Sequence, residues 1–261
     1  IRHNLLDWMN IPMAEAVVIV DEAHNLPDYA REIRSVALSS HLLGLVRKEV
    51  DDFGDPEVAE GISVMDVVGQ CEKRLNEALD EFLIEDDGLI PPPFLEEGLM
   101  SAFKTTSAGL SNMARSMMVY GDTIREEKKK RGRLPRSYVH SLGGFLQFFL
   151  ELDEECYVKL VTGGENPSFE AYCMDPSLAC KTLLDCSASV HMSGTLQPLN
   201  EYRDSVGLPR TSAMMTFPSP FPPDNRLVLF LEDVTTRYED LIKDEEIIAR
   251  MEDYTVSLCN V

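Results

Sequence analysis

Asp21-Glu22-Ala23-His24 sets two carboxylates side by side, directly after the apolar run Ala16-Val17-Val18-Ile19-Val20. That run is short, continuous and β-branched, the pattern of a strand buried on both faces. In an open parallel sheet, ligands bind beyond the carboxyl ends of the strands, so the two acids stand where a nucleotide would be met. Nucleotide hydrolysis uses such a pair: one carboxylate fixes Mg²⁺ through its water shell and the next positions the attacking water. The plainer alternative is a pair of acids capping a helix expected from Asn25 to Arg34. The strand immediately ahead favours the first reading.

Ser193-Gly194-Thr195-Leu196 also follows a strand pattern, ending in Val190-His191-Met192. Hydroxyls there can bridge to acids on a neighbouring strand, since Ser and Thr both donate and accept. Taken singly the motif reads as a polar turn into a helix over Pro198–Val206. A third group is the basic run Arg125 to Arg136, with seven bases and two acids. Within it Lys128, Lys129, Lys130, Arg131, Arg133 and Arg136, beside Tyr138, are candidates to track a DNA backbone through phosphate contacts. The competing reading, slightly favoured, is a solvated helix end whose cations offset the helix dipole and an acidic surrounding. The six cysteines form no C-x-x-C pair. Cys173, Cys180 and Cys186 lie close in sequence, but reduced thiols are a simpler account than a metal site. No role is given to His41, His140 or His191.

The elements that must carry these residues change character along the chain. Between Leu38 and Asp153, apolar residues recur at helical spacing in four sets: Leu42 to Val50, Val67 to Leu83, Leu110 to Met118 and Val139 to Leu150. Gly54-Asp55-Pro56, Pro91-Pro92-Pro93 and Arg131-Gly132-Arg133-Leu134-Pro135 separate them. This predicts four or five helices with almost no strand. Strand patterns return at Tyr157–Val161 and Phe169–Met174, flanking a Gly163-Gly164 turn, a hairpin. A short helix over Pro176–Leu184, a strand over Leu227–Leu231 and an amphipathic helix from Lys243 to Asn260 complete the pattern. The order is α/β, helical, then α/β again, a helical domain inserted into an α/β one.

The 261 residues carry a net charge of −21, which argues against a nucleic-acid partner. The charge is uneven, however: residues 51–100 hold fifteen acids and two bases. That stretch should lie on an outer face or meet a partner protein. No apolar run approaches the roughly 18–20 residues a bilayer span needs, and no signal-peptide pattern opens the chain. The opening Ile1 reads as the start of a piece of something longer. Acidic balance and cysteine usage indicate an intracellular protein, and the compact insertion suggests a prokaryotic cytoplasm.

Val17 to Asn25 resembles the second helicase motif of the XPD-type DNA helicases. Cys173-Met174-Asp175-Pro176-Ser177 and Ser189 to Leu199 resemble the stretch closing that family's first motor domain. The resemblance implies RecA-like α/β motor pieces with an all-helical inserted arch domain. Residues 1–37 would be motor, 38–153 the arch, 154–215 the close of the first motor domain and 216–261 the start of the second. It further implies that Asp21 holds Mg²⁺, that Glu22 orients or deprotonates the water, and that His24 couples nucleotide state to the motor. Ser193, Gly194 and Thr195 would link hydrolysis to strand movement. The parent would be an ATP-dependent helicase moving 5′ to 3′ on single-stranded DNA, with a 4Fe–4S cluster outside this chain. DNA repair is the implied setting, with repair proteins as arch partners and no membrane. No glycine here is followed by lysine, so the phosphate loop is expected upstream, the later motifs downstream, and no ATP hydrolysis from this chain alone. Alternatives are a helical protein-interaction module with unused motor motifs and a DinG-like relative. Missing parallel strands would leave exposed sheet edges.

Overall fold

The computed structural model describes residues 11–152, 154–222, 230–244 and 246–259. Within residues 1–212, one compact unit, two cores lie side by side. The smaller surrounds strand β1 (Val17–Val20), which pairs in parallel with β8 (Ala188–His191), Val20 opposite His191. Helix α1 (Leu26–Arg34) supplies Ala30, α7 (Ser177–Cys180) supplies Cys180, and Val206 follows directly on α8 (Leu199–Ser205); these pack with Leu183, Val18 and Tyr202.

Parallel strands cannot be joined by a tight turn and need a crossover. Here the crossover contains the whole larger unit. It begins with β2 (Val36–Ser39) and α2 (Ser40–Phe53), then the two-stranded β3 (Glu57–Ala59) and β4 (Ile62–Ser63). Helix α3 (Val64–Phe82), β5 (Asp87–Leu89), α4 (Phe94–Phe103), α5 (Ser107–Lys130) and α6 (Tyr138–Leu150) follow. The hairpin β6 (Tyr157–Thr162) and β7 (Ser168–Cys173) closes it. Four of the long helices start where the sequence offers a capping hydroxyl. Ser39, Ser63, Thr106 and Ser137 each accept the N3 backbone N–H, and Asp66 completes a capping box with Ser63. Helices α5 and α6 approach backbone to side chain through glycine. A Cβ on Gly143 would meet the Ala114 carbonyl oxygen at 2.6 Å, and one on Gly121 would meet His140 N at 2.6 Å.

Three expectations are corrected. The inserted unit is not all-helical. Strands β2, β7, β6 and β5 form one antiparallel sheet in that order, with Leu38 opposite Phe169 and Gly88 opposite Val161. Nor does the unit stop at residue 153. The hairpin assigned to the closing motor piece pairs with β2 and β5, and Val161, Phe169, Ala171 and Cys173 share the core of Leu75, Leu142 and Phe149. Isolated from those helices, the hairpin would expose its apolar face. Finally, β1 is buried on one face only. Its helices all take the Val18 side, leaving Val17 63% and Ile19 65% exposed. The helical stretches predicted around Leu75–Leu83 and Leu142–Leu150 fall in α3 and α6.

Residues 213–261 form a second unit with α9 (Tyr238–Lys243) and α10 (Glu246–Cys259). Asp244 accepts the Glu246 N–H at the start of α10 and the Arg250 guanidinium at 2.7 Å, which holds its carboxyl below the usual range. Most of the strand expected over Leu227–Leu231 lies outside the described residues, and Phe230 and Leu231 are not in a strand. No helix among the described residues is long and apolar enough to cross a membrane.

Candidate active site

Because β1 and β8 run parallel, the loops that leave them emerge at the same edge. The ladder continues one step past both strands: Met192 N–H donates to the Val20 carbonyl at 2.9 Å and Ala23 N–H donates to the Met192 carbonyl at 3.0 Å. Between those bonds the chain turns sharply. Glu22 takes the left-handed conformation, φ 47° and ψ 44°, costing about 1–2 kcal/mol in a residue with a Cβ. Ala23 turns fully inward while Asp21, Glu22 and His24 remain exposed. Strain of this kind persists where the surroundings over-determine it, and here bonds from both strands do so.

The two motifs meet. Ser193 Oγ lies 2.7 Å from His24 Nδ1 and donates to Glu22 Oε2 at 3.3 Å. It also accepts the Thr195 backbone N–H at 3.2 Å, with Thr195 Oγ1 3.5 Å away. A hydroxyl has one proton and two lone pairs, so with its proton on Glu22 it accepts from Thr195 N–H and from His24, placing a proton on Nδ1. His24 Nδ1 is also 3.3 Å from Glu22 Oε2. Asp21 faces outward, one oxygen accepting the Glu22 N–H at 2.9 Å. Gly194 borders the cluster in open space, with nothing crowding a Cβ there.

Behind this cluster stands a contact the sequence did not announce. His191 Nδ1 lies 2.6 Å from the Tyr202 hydroxyl on α8, and Nε2 lies 3.2 Å from Ser189 Oγ. Burial lowers the His191 pKa and raises that of Tyr202. The strut holds β8, just before Ser193, against α8. Its sequence signal was alternation: in β8, Ser189 and His191 turn inward while Ala188 and Val190 are exposed.

Two family models match this sequence. The DEAD_2 model matches residues 1–43, and the helical and beta-bridge domain model matches residues 46–240, more than half of the chain. The chain belongs to the helical and beta-bridge domain family. With DEAD_2 directly ahead of it, this helical and beta-bridge chain is a segment of the XPD type of helicase. A solved structure described as "XPD_Helicase" is similar at 18% identity and a TM-score of 0.41, over 74% of this chain and 30% of that one. The chain thus spans less than a third of that protein's length. The mixed helices and strands of residues 36–174 suit the family's description better than an all-helical insertion does.

The basic candidates of the helical and beta-bridge region divide into two groups. Lys128 is turned inward onto the buried carboxylate of Glu49 and also donates to the Arg136 carbonyl at 2.8 Å. It is therefore a structural cation and no longer a phosphate-binding candidate. Arg131 pairs with Glu127 at 2.5 Å. Lys129, Lys130, Arg133 and Arg136 are exposed, with no side-chain ion pair among the described residues. None of the six is near the Glu22 cluster in sequence or element.

Proposed function

We propose that this chain is the part of an ATP-driven DNA helicase that carries the metal- and water-handling acids, with an inserted unit over about 36–174. Residues 1–35 and 175–215 are RecA-like pieces of the first motor domain in this reading, and 216–261 begin a second. The observation that carries it is the contact of Glu22, His24 and Ser193 across two parallel strands. A pair of acids that only capped a helix would have no reason to bond a hydroxyl some 170 residues away.

The donor set fits a nucleotide-bound Mg²⁺ held through water. Asp21 is exposed, and the only bond it makes among the described residues is to its neighbour's N–H, leaving acceptor sites open to metal-bound water. Bound Mg·ATP supplies the electrophilic phosphorus and neutralises its oxygens. Glu22 orients the attacking water and takes up its proton. His24 and Ser193 then couple a change at Glu22 to β8, and Thr195 follows through its bond to Ser193. Movement 5′ to 3′ on single-stranded DNA, an iron–sulfur cluster held elsewhere in the parent and a role in repair complete the proposal, resting on family membership. Lys129, Lys130, Arg133 and Arg136 offer a path for phosphates on the inserted unit.

The test is made in the intact parent. Glu22→Gln keeps the shape of the side chain but removes the charge, so nucleotide affinity should stay within about twofold while hydrolysis falls by about 10²–10⁴. Asp21→Asn should weaken Mg·nucleotide binding and turnover together. Wild-type turnover in Glu22→Gln would leave the acids as a helix cap and overturn the mechanism.

A further inference from the structure

The loop that carries Ser193, Gly194 and Thr195 leaves β8 after His191 and enters α8 at Leu199. Its two ends are tied together by the 2.6 Å contact between His191 Nδ1 and the Tyr202 hydroxyl, eleven positions apart. The other ring nitrogen is used as well, since Nε2 lies 3.2 Å from Ser189 Oγ. Burial lowers the His191 pKa and raises that of Tyr202. The neutral ring therefore accepts the phenol proton at Nδ1 and donates from Nε2 to Ser189, which fixes both its tautomer and its orientation. Tyr202 in turn packs against Ala30, Cys180, Leu183 and Val206. The tie is thus anchored in the core of the smaller α/β piece.

His191 also stands at the root of the acid pair. It lies opposite Val20, the residue before Asp21. The next residue, Met192, makes both bonds that bracket the left-handed turn at Glu22: its N–H donates to Val20 and its carbonyl accepts from Ala23. The Glu22 turn and the Ser193 loop therefore hang from one short piece of β8, and one imidazole fixes that piece against α8. Ser193 Oγ has to meet His24 Nδ1 at 2.7 Å and Glu22 Oε2 at 3.3 Å together, and a shift of about 1 Å would break that arrangement. Misplacement on that scale costs about 10² in rate, and working constellations are held within about 0.5 Å by neighbours that are themselves locked. We propose that His191 and Tyr202 are positioning residues for the Glu22–His24–Ser193 cluster, setting where the Ser193 hydroxyl stands when water attacks the nucleotide. They act through Met192 and the Ser193 loop, and the inference rests on the motor reading above.

The test uses three variants of the intact parent. Tyr202→Phe keeps the ring, which meets the His191 ring at 5.7 Å between centres, and removes the hydroxyl. His191→Phe removes the acceptor, and His191→Asn keeps an oxygen acceptor where Nδ1 stands. Amide exchange over residues 20–23 and 188–196 should quicken about two- to tenfold in the two Phe variants, the worth of one hydrogen bond. Exchange in β6 and β7 should not change. The kcat for ATP should fall about tenfold in both, with the nucleotide KM within about twofold, and the double variant should be no slower than either single one. His191→Asn should stay near wild type in exchange and in kcat. Unchanged exchange in Tyr202→Phe would overturn the tie. Faster exchange with wild-type kcat, or equal loss of protection in β6 and β7, would overturn positioning and leave a structural contact. Glu22→Gln separates this inference from the motor reading. Wild-type turnover in Glu22→Gln overturns both, whereas a slow Glu22→Gln beside a wild-type Tyr202→Phe overturns the positioning role alone.

Discussion

Glu49 stands between Lys48 and Val50 in a charged stretch of α2, yet it is 4% exposed and collects four donors. One oxygen takes the Lys128 ammonium. The other takes Ser137 Oγ at 2.8 Å and the backbone N–H groups of Tyr138 and Val139 at 2.6 and 2.8 Å. A single carboxylate thereby joins α2, the end of α5 and the start of α6, whose positive N-terminus suits an anion. Lys128 lies 5.6 Å from the Phe53 ring centre and 5.4 Å from that of Tyr138, which shelters the pair from water. Breaking a buried pair leaves a charge uncompensated, at a cost of about 3–5 kcal/mol. Glu49→Gln should lose that much stability in urea unfolding, whereas Lys129→Gln, exposed one residue away from Lys128, should stay within about 0.5 kcal/mol. This was legible at the level of spacing. Met117, Gly121 and Ile124 mark the buried stripe of α5, and Lys128 continues it four residues on; Glu49 likewise follows Val46 by three. Composition hid both, because a run of like cations offers no other mark of the one that turns inward.

At the scale of elements, the helices were readable because their apolar stripes, breakers and caps all agree. Short strands were not: β5 is three residues, Asp87–Leu89, and only its pairing with β6 makes it a strand. No alternation can be seen in so few positions, and tertiary pairing decides. The one-sided burial of β1 was hidden for a related reason, since a run of Val and Ile records what a strand can bury and not which side a helix takes. The α5–α6 contact gives a sharper test of element packing. Gly143 and Gly144 are adjacent in α6, and both lower helix propensity by about 1 kcal/mol relative to alanine. A Cβ on Gly144 meets nothing within 4 Å, whereas one on Gly143 strikes the Ala114 carbonyl, with Met117 Cβ at 3.1 Å. Gly144→Ala should therefore raise stability by about 0.5–1 kcal/mol. Gly143→Ala should lower it by about 1–3 kcal/mol, because helix backbones must separate. Thermal unfolding of the two variants reads the difference directly, and a gain in both would mean α5 and α6 do not approach as described.

For the molecule as a whole, the acid pair and the hydroxyl motif were readable because each follows directly on a strand, but the extent of the insertion was not. Periodicity changes at Asp153, and the hairpin after it looks like motor sequence because strand patterns carry no record of their partners. Pairing places the border some twenty residues later. Tyr157 faces Cys173, Val161 faces Phe169, and β7 then meets β2 through Leu38. The Phe149 and Phe169 rings lie 6.4 Å apart across the helix–sheet boundary. Lys159 spans the same layer, donating to the Pro92 carbonyl at 2.8 Å with its ammonium 4.6 Å from the Phe149 ring centre. The border is closed by Ser35, whose hydroxyl accepts the Cys173 N–H at 2.9 Å. A piece cut at 38–153 would lose two of the four strands, expose the faces of Leu142 and Phe149, and leave β5 unpaired. A piece spanning 35–175 keeps the sheet, its helical cover and the Ser35 bond. Expressed separately, residues 35–175 should unfold in one cooperative urea transition with protected amides in β6 and β7. Residues 38–153 should bind a hydrophobic dye, retain helical circular dichroism and lack a sharp transition. Equal cooperativity in the two pieces would mean that the hairpin belongs to the motor after all. The sheet order would then be a contact between domains and not the interior of one.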